Sequence, residues 1–232
     1  MQFKVMQTSL YIKPALAYII SKLPKESQLI TLGKTLDKLN SDQVDSLFLL
    51  AKEKEHKLYH FKKTELLPRV EKVLGHINTF YPKTMLDIGT GRGVFLWPLL
   101  DFYPELDVTC IDVLSKRIEF LEHVRNGGIS NITPELSDIQ TTEFPDDSFD
   151  VVTFLETLEH IPNPEMALKN AFRMAKRAVI LSVPSKEDDN PEHIHLLDQN
   201  FFKDTLANVS SNSVKFYYVL NHMIVVIIKK PP

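Results

Sequence analysis

At 232 residues and a formal net charge of −3, the chain is long enough for one large domain or a domain with a helical appendage. Its charge balance argues against a general nucleic-acid coat protein. The single cysteine, Cys110, excludes an intrachain disulfide, and no apolar run approaches the ~20 residues of a membrane span.

The segment Tyr11 to Ile20 is apolar, but Lys13 and Pro14 interrupt it and no cleavage site follows, so a cytoplasmic protein is expected. The residues before about Phe80 read as helical. Pro14 suits a first helical position, with Leu16, Ile19, Ile20 and Leu23 on one face. Ser41 reads as an N-cap, followed by Val44, Leu47, Phe48 and Ala51 at helical spacing. A third helix is expected from near Thr64, with Leu66, Leu67, Val70, Val73, Leu74 and Ile77 as its apolar stripe. The basic connector Lys52 to Lys63 carries Tyr59 and Phe61. It reads as a solvated face, with contact to a phosphate-bearing substrate as the sharper alternative. The expected division is a helical region over 1–58 and a main domain over 59–232.

From Thr84 the pattern changes to alternating strand and helix, the signature of a parallel sheet covered on both faces. Met85-Leu86-Asp87-Ile88 is a short apolar strand, and three of the seven glycines, Gly89, Gly91 and Gly93, follow within five residues. Strand, glycine turn and helix together aim backbone N–H groups at a ligand. The spacing is not the G-x-G-x-x-G of a dinucleotide loop, since the sixth position is Val94. Asp87 would repel a pyrophosphate and suits a ligand with an ammonium or sulfonium charge. A helix is expected over about Gly93 to Phe102 and a second strand over Asp107 to Asp112. Asp112 stands where an acid can accept the hydroxyls of an adenosine ribose, with Val113 beside the base. A helix near Ser115 to Arg125 ends at Gly127-Gly128, and Asn131 to Leu136 is a third strand. Phe149 to Leu155 is a buried fourth strand. Asn163-Pro164 opens a helix as cap and first residue, and Arg177 to Val183 is a fifth strand. Ser185 to Asn190 is a polar loop beyond the sheet edge. Asp198 to Ala207 reads as a helix, and Val214 to Val219 and Met223 to Ile228 as an antiparallel hairpin.

The run D-x-G-x-G-x-G at the end of a first strand resembles the cofactor loop of class I S-adenosylmethionine (SAM) methyltransferases. From Leu66 onward the chain is similar to that family; its first sixty or so residues are not. The resemblance implies an α/β, Rossmann-like fold: a seven-stranded, mostly parallel sheet with an antiparallel C-terminal hairpin, here preceded by helices. It implies SAM as cofactor, held by Asp87, Gly89, Thr90, Gly91, Gly93, Asp112, Val113, Asp138, Ile139 and Leu155, with Asp138 on the adenine amino group. After strand four comes Glu156-Thr157-Leu158-Glu159-His160, and downstream His193-Ile194-His195. E-x-x-E-H resembles ubiquinone-pathway O-methyltransferases and small-RNA 3′-end 2′-O-methyltransferases. On that resemblance Glu156, Glu159, His160 and His195 are candidate ligands for a divalent metal (Mg, Mn or Zn), with His195 preferred to His193 on pattern alone. His160 and His195 are also candidate catalytic bases.

The leading expectation is a transferase that moves a methyl group from SAM to a hydroxyl of a small metabolite. The competing readings are an RNA 2′-O-methyltransferase, a NAD-dependent oxidoreductase, which the glycine spacing and Asp87 oppose, and a non-catalytic SAM-binding module. The leading helices are open to three roles: substrate lid, homodimer surface or partner site.

Overall fold

The strand expected over Thr84–Ile88 forms there as β1 (Thr84–Ile88), the centre of one seven-stranded sheet. The computed structural model of the chain describes residues 10–24, 36–63, 66–207, 209 and 212–229. The other strands are β2 (Asp107–Asp112), β3 (Ile132–Leu136), β4 (Phe149–Leu155), β5 (Ala175–Pro184), β6 (Asn212–Val219) and β7 (His222–Lys229). Their order is β3-β2-β1-β4-β5-β7-β6. Neighbouring strands run parallel from β3 to β5, and β7 is antiparallel to both β5 and β6. The order reverses between β1 and β4, so a crevice opens beyond their carboxyl ends, the usual ligand position in such sheets.

Period-2 alternation sends successive residues of the buried strands to opposite faces. Met85, Val151 and Ile180 enter one core, while Leu86, Val152 and Leu181 enter the other. The second core is roofed by α6 (Pro164–Met174) and α7 (Gln199–Leu206) through Ala167, Leu168, Phe172 and Phe202. The first is roofed by α3 (Pro68–Asn78), α4 (Leu96–Phe102) and α5 (Ser115–Asn126), together with the leading helices α1 (Ile12–Ser21) and α2 (Ser41–Glu53). Leu16, Ile19, Leu47 and Phe48 of the leading helices are buried in this same cluster, so they share a core with the sheet. The contact is tightest at the end of α5, where a Cβ on Gly127 would lie 1.7 Å from the carbonyl oxygen of Ala17.

Several boundaries differ from the sequence expectation. Pro14 is the third residue of α1, not the first. Asn40, not Ser41, caps α2, because its side chain accepts from the Gln43 amide and the Gln43 side chain answers in a capping box. Thr64 lies outside the described residues; α3 begins at Pro68, where the missing N–H costs nothing. The helix after the glycine turn starts at Leu96 rather than Gly93, because the turn keeps positive φ through Gly93. Asn163 caps its helix as expected, on the Met166 amide, while Asp198, expected as the first helical residue, is instead the cap of α7 and accepts from the Phe201 amide. Among the described residues no helix is long and apolar enough to cross a membrane.

Candidate functional site

The glycine turn sits at the carboxyl end of β1 and is tied to β2. The Gly89 amide donates to the Ile111 carbonyl at 2.8 Å, and the Gly91 amide to Oδ2 of Asp112 at 3.0 Å. Gly91 has φ +58°, and a Cβ there would meet nothing closer than 3.7 Å, so its Cα faces open space. Gly93 has a different job. A Cβ there would lie 2.3 Å from the Trp97 ring. It lines neither of the cavities described next, and its missing side chain lets α4 pack down onto the turn.

Two cavities flank the turn. One, of about 230 Å³, is lined by Asp87, Thr90, Gly91 and Leu155 together with Arg69 and Arg117. The other, of about 490 Å³, is lined by Asp112, Val113, Asp138, Ile139 and His160. Gly89 and Glu156 line both. Asp87 is buried beneath the first cavity. The Thr153 hydroxyl donates to its Oδ1 at 2.8 Å, while its Oδ2 has no partner. Burial pushes its pKa up to about 6, against that hydrogen bond. Asp112 accepts from the Gly91 amide on one oxygen and from the Leu114 amide, at 2.9 Å, on the other. A carboxylate oxygen can accept twice, so capacity remains for a diol. Asp138 accepts from the Gln140 amide at 2.8 Å. Val113 is 63% exposed, an apolar side chain left at the rim of the larger cavity.

The E-x-x-E-H run separates in space. Glu156 takes φ +53° at the end of β4. Its carboxylate accepts from the Ser182 hydroxyl at 2.6 Å, lies 3.0 Å from Nε2 of His222 and 3.8 Å from Nε of Arg69. Glu159, in the short 3₁₀ turn Leu158–His160, is fully buried, and neither carboxylate oxygen has a hydrogen-bond partner. Burial, with the Glu156 charge nearby, pushes its pKa up to about 8. Nδ1–H of His160 donates to the Glu192 carbonyl at 2.7 Å, which leaves Nε2 free. His195 is spent on structure: its Nε2–H donates to the Ile161 carbonyl at 3.1 Å. The residue that joins Glu159 and His160 is His193, with one ligand atom from each of the three within 4.8 Å of the others. The expected ligand set is thereby corrected twice. Glu156 is turned toward β5 and β7, and His193 replaces His195 because the loop after β5 is pinned by the Ile194 and His195 amides on the Glu159 carbonyl.

Comparison with known proteins places this geometry. The family described as "Methyltransferase domain" matches residues 57–212, well over half of the chain. The chain belongs to the class I SAM-dependent methyltransferase family. Ribosomal RNA small subunit methyltransferase G of Actinobacillus pleuropneumoniae is 33% identical over 90 residues, spanning 34% of this chain and 43% of that protein. The match thus covers less than half the length of that relative. A SAM-dependent methyltransferase from Aquifex aeolicus superposes with a TM-score of 0.56 at 22% identity, over 70% of this chain and 90% of its own. The N-terminal domain of EvdMO1, solved in the presence of SAH and D-fucose, superposes with a TM-score of 0.56 at 16% identity, over 81% and 96%.

Within this methyltransferase fold the structure gathers Asp87, Gly89, Thr90, Gly91, Asp112, Val113, Asp138, Ile139 and Leu155 around one cleft. Sequence reasoning missed Arg69, Arg117, Ser182 and His222. The two arginines carry no motif; the α3 and α5 first turns alone bring them to the cleft. Ser182 did leave a signal, as the one hydroxyl inside the apolar run Val179 to Val183. His222 had none, because its partner is 66 positions away in the sequence.

Proposed function

We propose that the chain transfers the methyl group of SAM to a hydroxyl of a small, aromatic acceptor. The observation that carries this is the two-chambered cleft over the glycine turn, with a buried acid under the smaller chamber and a backbone-anchored acid in the larger. The methionine part lies in the smaller chamber, its ammonium toward Asp87, and the adenosine lies along Asp112, Val113, Asp138 and Ile139. A further cavity of about 250 Å³ adjoins the turn at Arg92 and Val94 and is lined by Tyr11, Tyr59, Trp97 and Lys62. Its size and aromatic walls suit one ring of an acceptor. Methyl transfer forms the acceptor O–C bond as the S–C bond breaks, so the residues need to align the acceptor and exclude water. The hydroxyl proton must pass to a base within hydrogen-bond reach; His160, whose Nδ1–H donates to the Glu192 carbonyl, lines the larger chamber and not this acceptor cavity.

RNA is the second reading, because one relative named above, ribosomal RNA small subunit methyltransferase G, acts by its name on ribosomal RNA. Incubation with methyl-tritiated SAM, a panel of phenols and total ribosomal RNA separates the two. Label in a phenol supports the proposal, label in RNA overturns the acceptor, and no calorimetric binding of S-adenosylhomocysteine (SAH) overturns the site itself.

The buried carboxyl of Glu159 beside two imidazoles also fits one divalent cation, held by Glu159, His160 and His193. Such an ion would lower the pKa of a hydroxyl near it. Zinc or manganese is expected to raise the melting temperature of the wild type and to leave Glu159→Gln unmoved. An equal shift in both proteins would dismiss the ion.

Asp87 gives a pH dependence. Its pKa is about 6 in the fold against an ordinary 3.8. Its contribution to folding is therefore full below pH 3.8 and is lost as pH rises through about 6. Ligand binding runs the other way, because an ammonium favours the ionised form. SAH affinity is expected to rise about tenfold between roughly pH 5 and 7. Asp87→Asn should flatten that rise in a calorimetric titration series.

A further inference from the structure

Any S-adenosyl ligand has two halves joined through one sulfur atom. In this cleft Gly89 and Glu156 are the two residues that line both chambers, so a ligand filling both must pass its sulfur between them. Gly89 offers backbone alone. Glu156 offers a carboxylate that is held from two sides: Ser182 Oγ donates at 2.6 Å and His222 Nε2 lies at 3.0 Å. Its backbone is held too, by its amide on the Ser182 carbonyl at 3.0 Å and by φ +53°. A non-glycine residue in that region is strained. The positive φ turns the chain off the β4 axis at this position.

Resting on the cofactor position proposed above, we propose that Glu156, positioned by Ser182 and His222, reads the charge on the cofactor sulfur and makes the site prefer the sulfonium of SAM to the neutral thioether of SAH. A partly buried charge pair is worth far more than the same pair in water, so one fixed carboxylate beside the sulfur can separate two ligands that differ by one methyl group and one charge. The other acids of the cleft are placed differently. Asp87 lies in the smaller chamber alone, and Asp112 and Asp138 in the larger alone. Of the cations, Arg69 is nearest, 3.8 Å from the Glu156 carboxylate, while Arg92 and Arg117 also line the smaller chamber. Arg69, at that distance, offsets part of the Glu156 charge in both complexes, which holds the expected discrimination to a modest factor.

Calorimetry with SAM, SAH and sinefungin, whose ammonium replaces the sulfonium, tests this on the whole chain. The wild type is expected to bind SAM and sinefungin about tenfold more tightly than SAH. Glu156→Gln keeps the shape and should bring the three affinities together while SAH affinity stays within about twofold. Ser182→Ala and His222→Phe should lower the ratio by a smaller factor. Equal weakening of all three ligands by Glu156→Gln would make the residue merely structural and overturn the proposal. So would a wild type that binds SAH as tightly as both cationic ligands, a result that does not depend on any variant folding. A wild type that binds none of the three would instead overturn the cofactor site on which the proposal rests.

Discussion

Gly91→Val is expected to abolish binding of SAH while leaving the chain folded. The position is held at φ +58°, a region where an L-residue costs roughly 1–2 kcal/mol and a β-branched one more. Strain is the smaller part of the effect. A Cβ at residue 91 meets no protein atom within 3.4 Å, so an added isopropyl group has nothing to push aside and projects into the cleft. The amide of the same residue donates to Asp112, so any twist that relieves the strain also loosens the acid that is to hold the ribose. A loss of more than about 100-fold, some 2.7 kcal/mol or more, is expected in calorimetry. Gly91→Ala should fall between the two. Undiminished affinity in the valine variant would place the ligand elsewhere.

Asp112→Ala is expected to weaken SAH by about 1–3 kcal/mol, the range for hydrogen bonds to a charged group. Two losses combine. The ribose loses its acceptor, and the Gly91 and Leu114 amides lose the carboxylate that joins the turn after β1 to the start of α5. Asp112→Asn separates them, because an amide oxygen still accepts one of those bonds while its charge is gone. If the asparagine variant binds like wild type and the alanine variant does not, organisation of the turn is the larger share. Unchanged affinity in both would remove Asp112 from the site.

The comparison of expectation with structure follows a physical line. β1, β2 and β4 were legible because buried parallel strands are predominantly apolar runs, and the Asn163 cap because capping is local. The glycine turn was legible because its demand for positive φ is written into residue type. The packing use of Gly93 was not legible, because the same residue type serves both a ligand turn and close helix packing, and nothing in the run distinguishes the two uses. The E-x-x-E-H run was misread for a related reason. Spacing places Glu156 and Glu159 on one side of a regular helix, but Glu156 takes φ +53° and breaks that regularity. The partners it then meets, Ser182 and His222, come from β5 and β7, and only the sheet order brings them together. His193 and His195 differ by two positions, and the choice between them depends on which backbone amides the loop spends on Glu159.

The near-contact between Gly127 and the Ala17 carbonyl bears on how the chain is made. The two residues are 110 positions apart. A ribosome adding about 5–20 residues per second needs roughly 5–20 seconds to deliver the second after the first. Throughout that interval the apolar stripe of α1 has emerged without the surface it will cover. Helix α1 is thus synthesised well before the α5 surface that shelters it, and nascent-chain crosslinking to chaperones should peak before residue 127 leaves the tunnel.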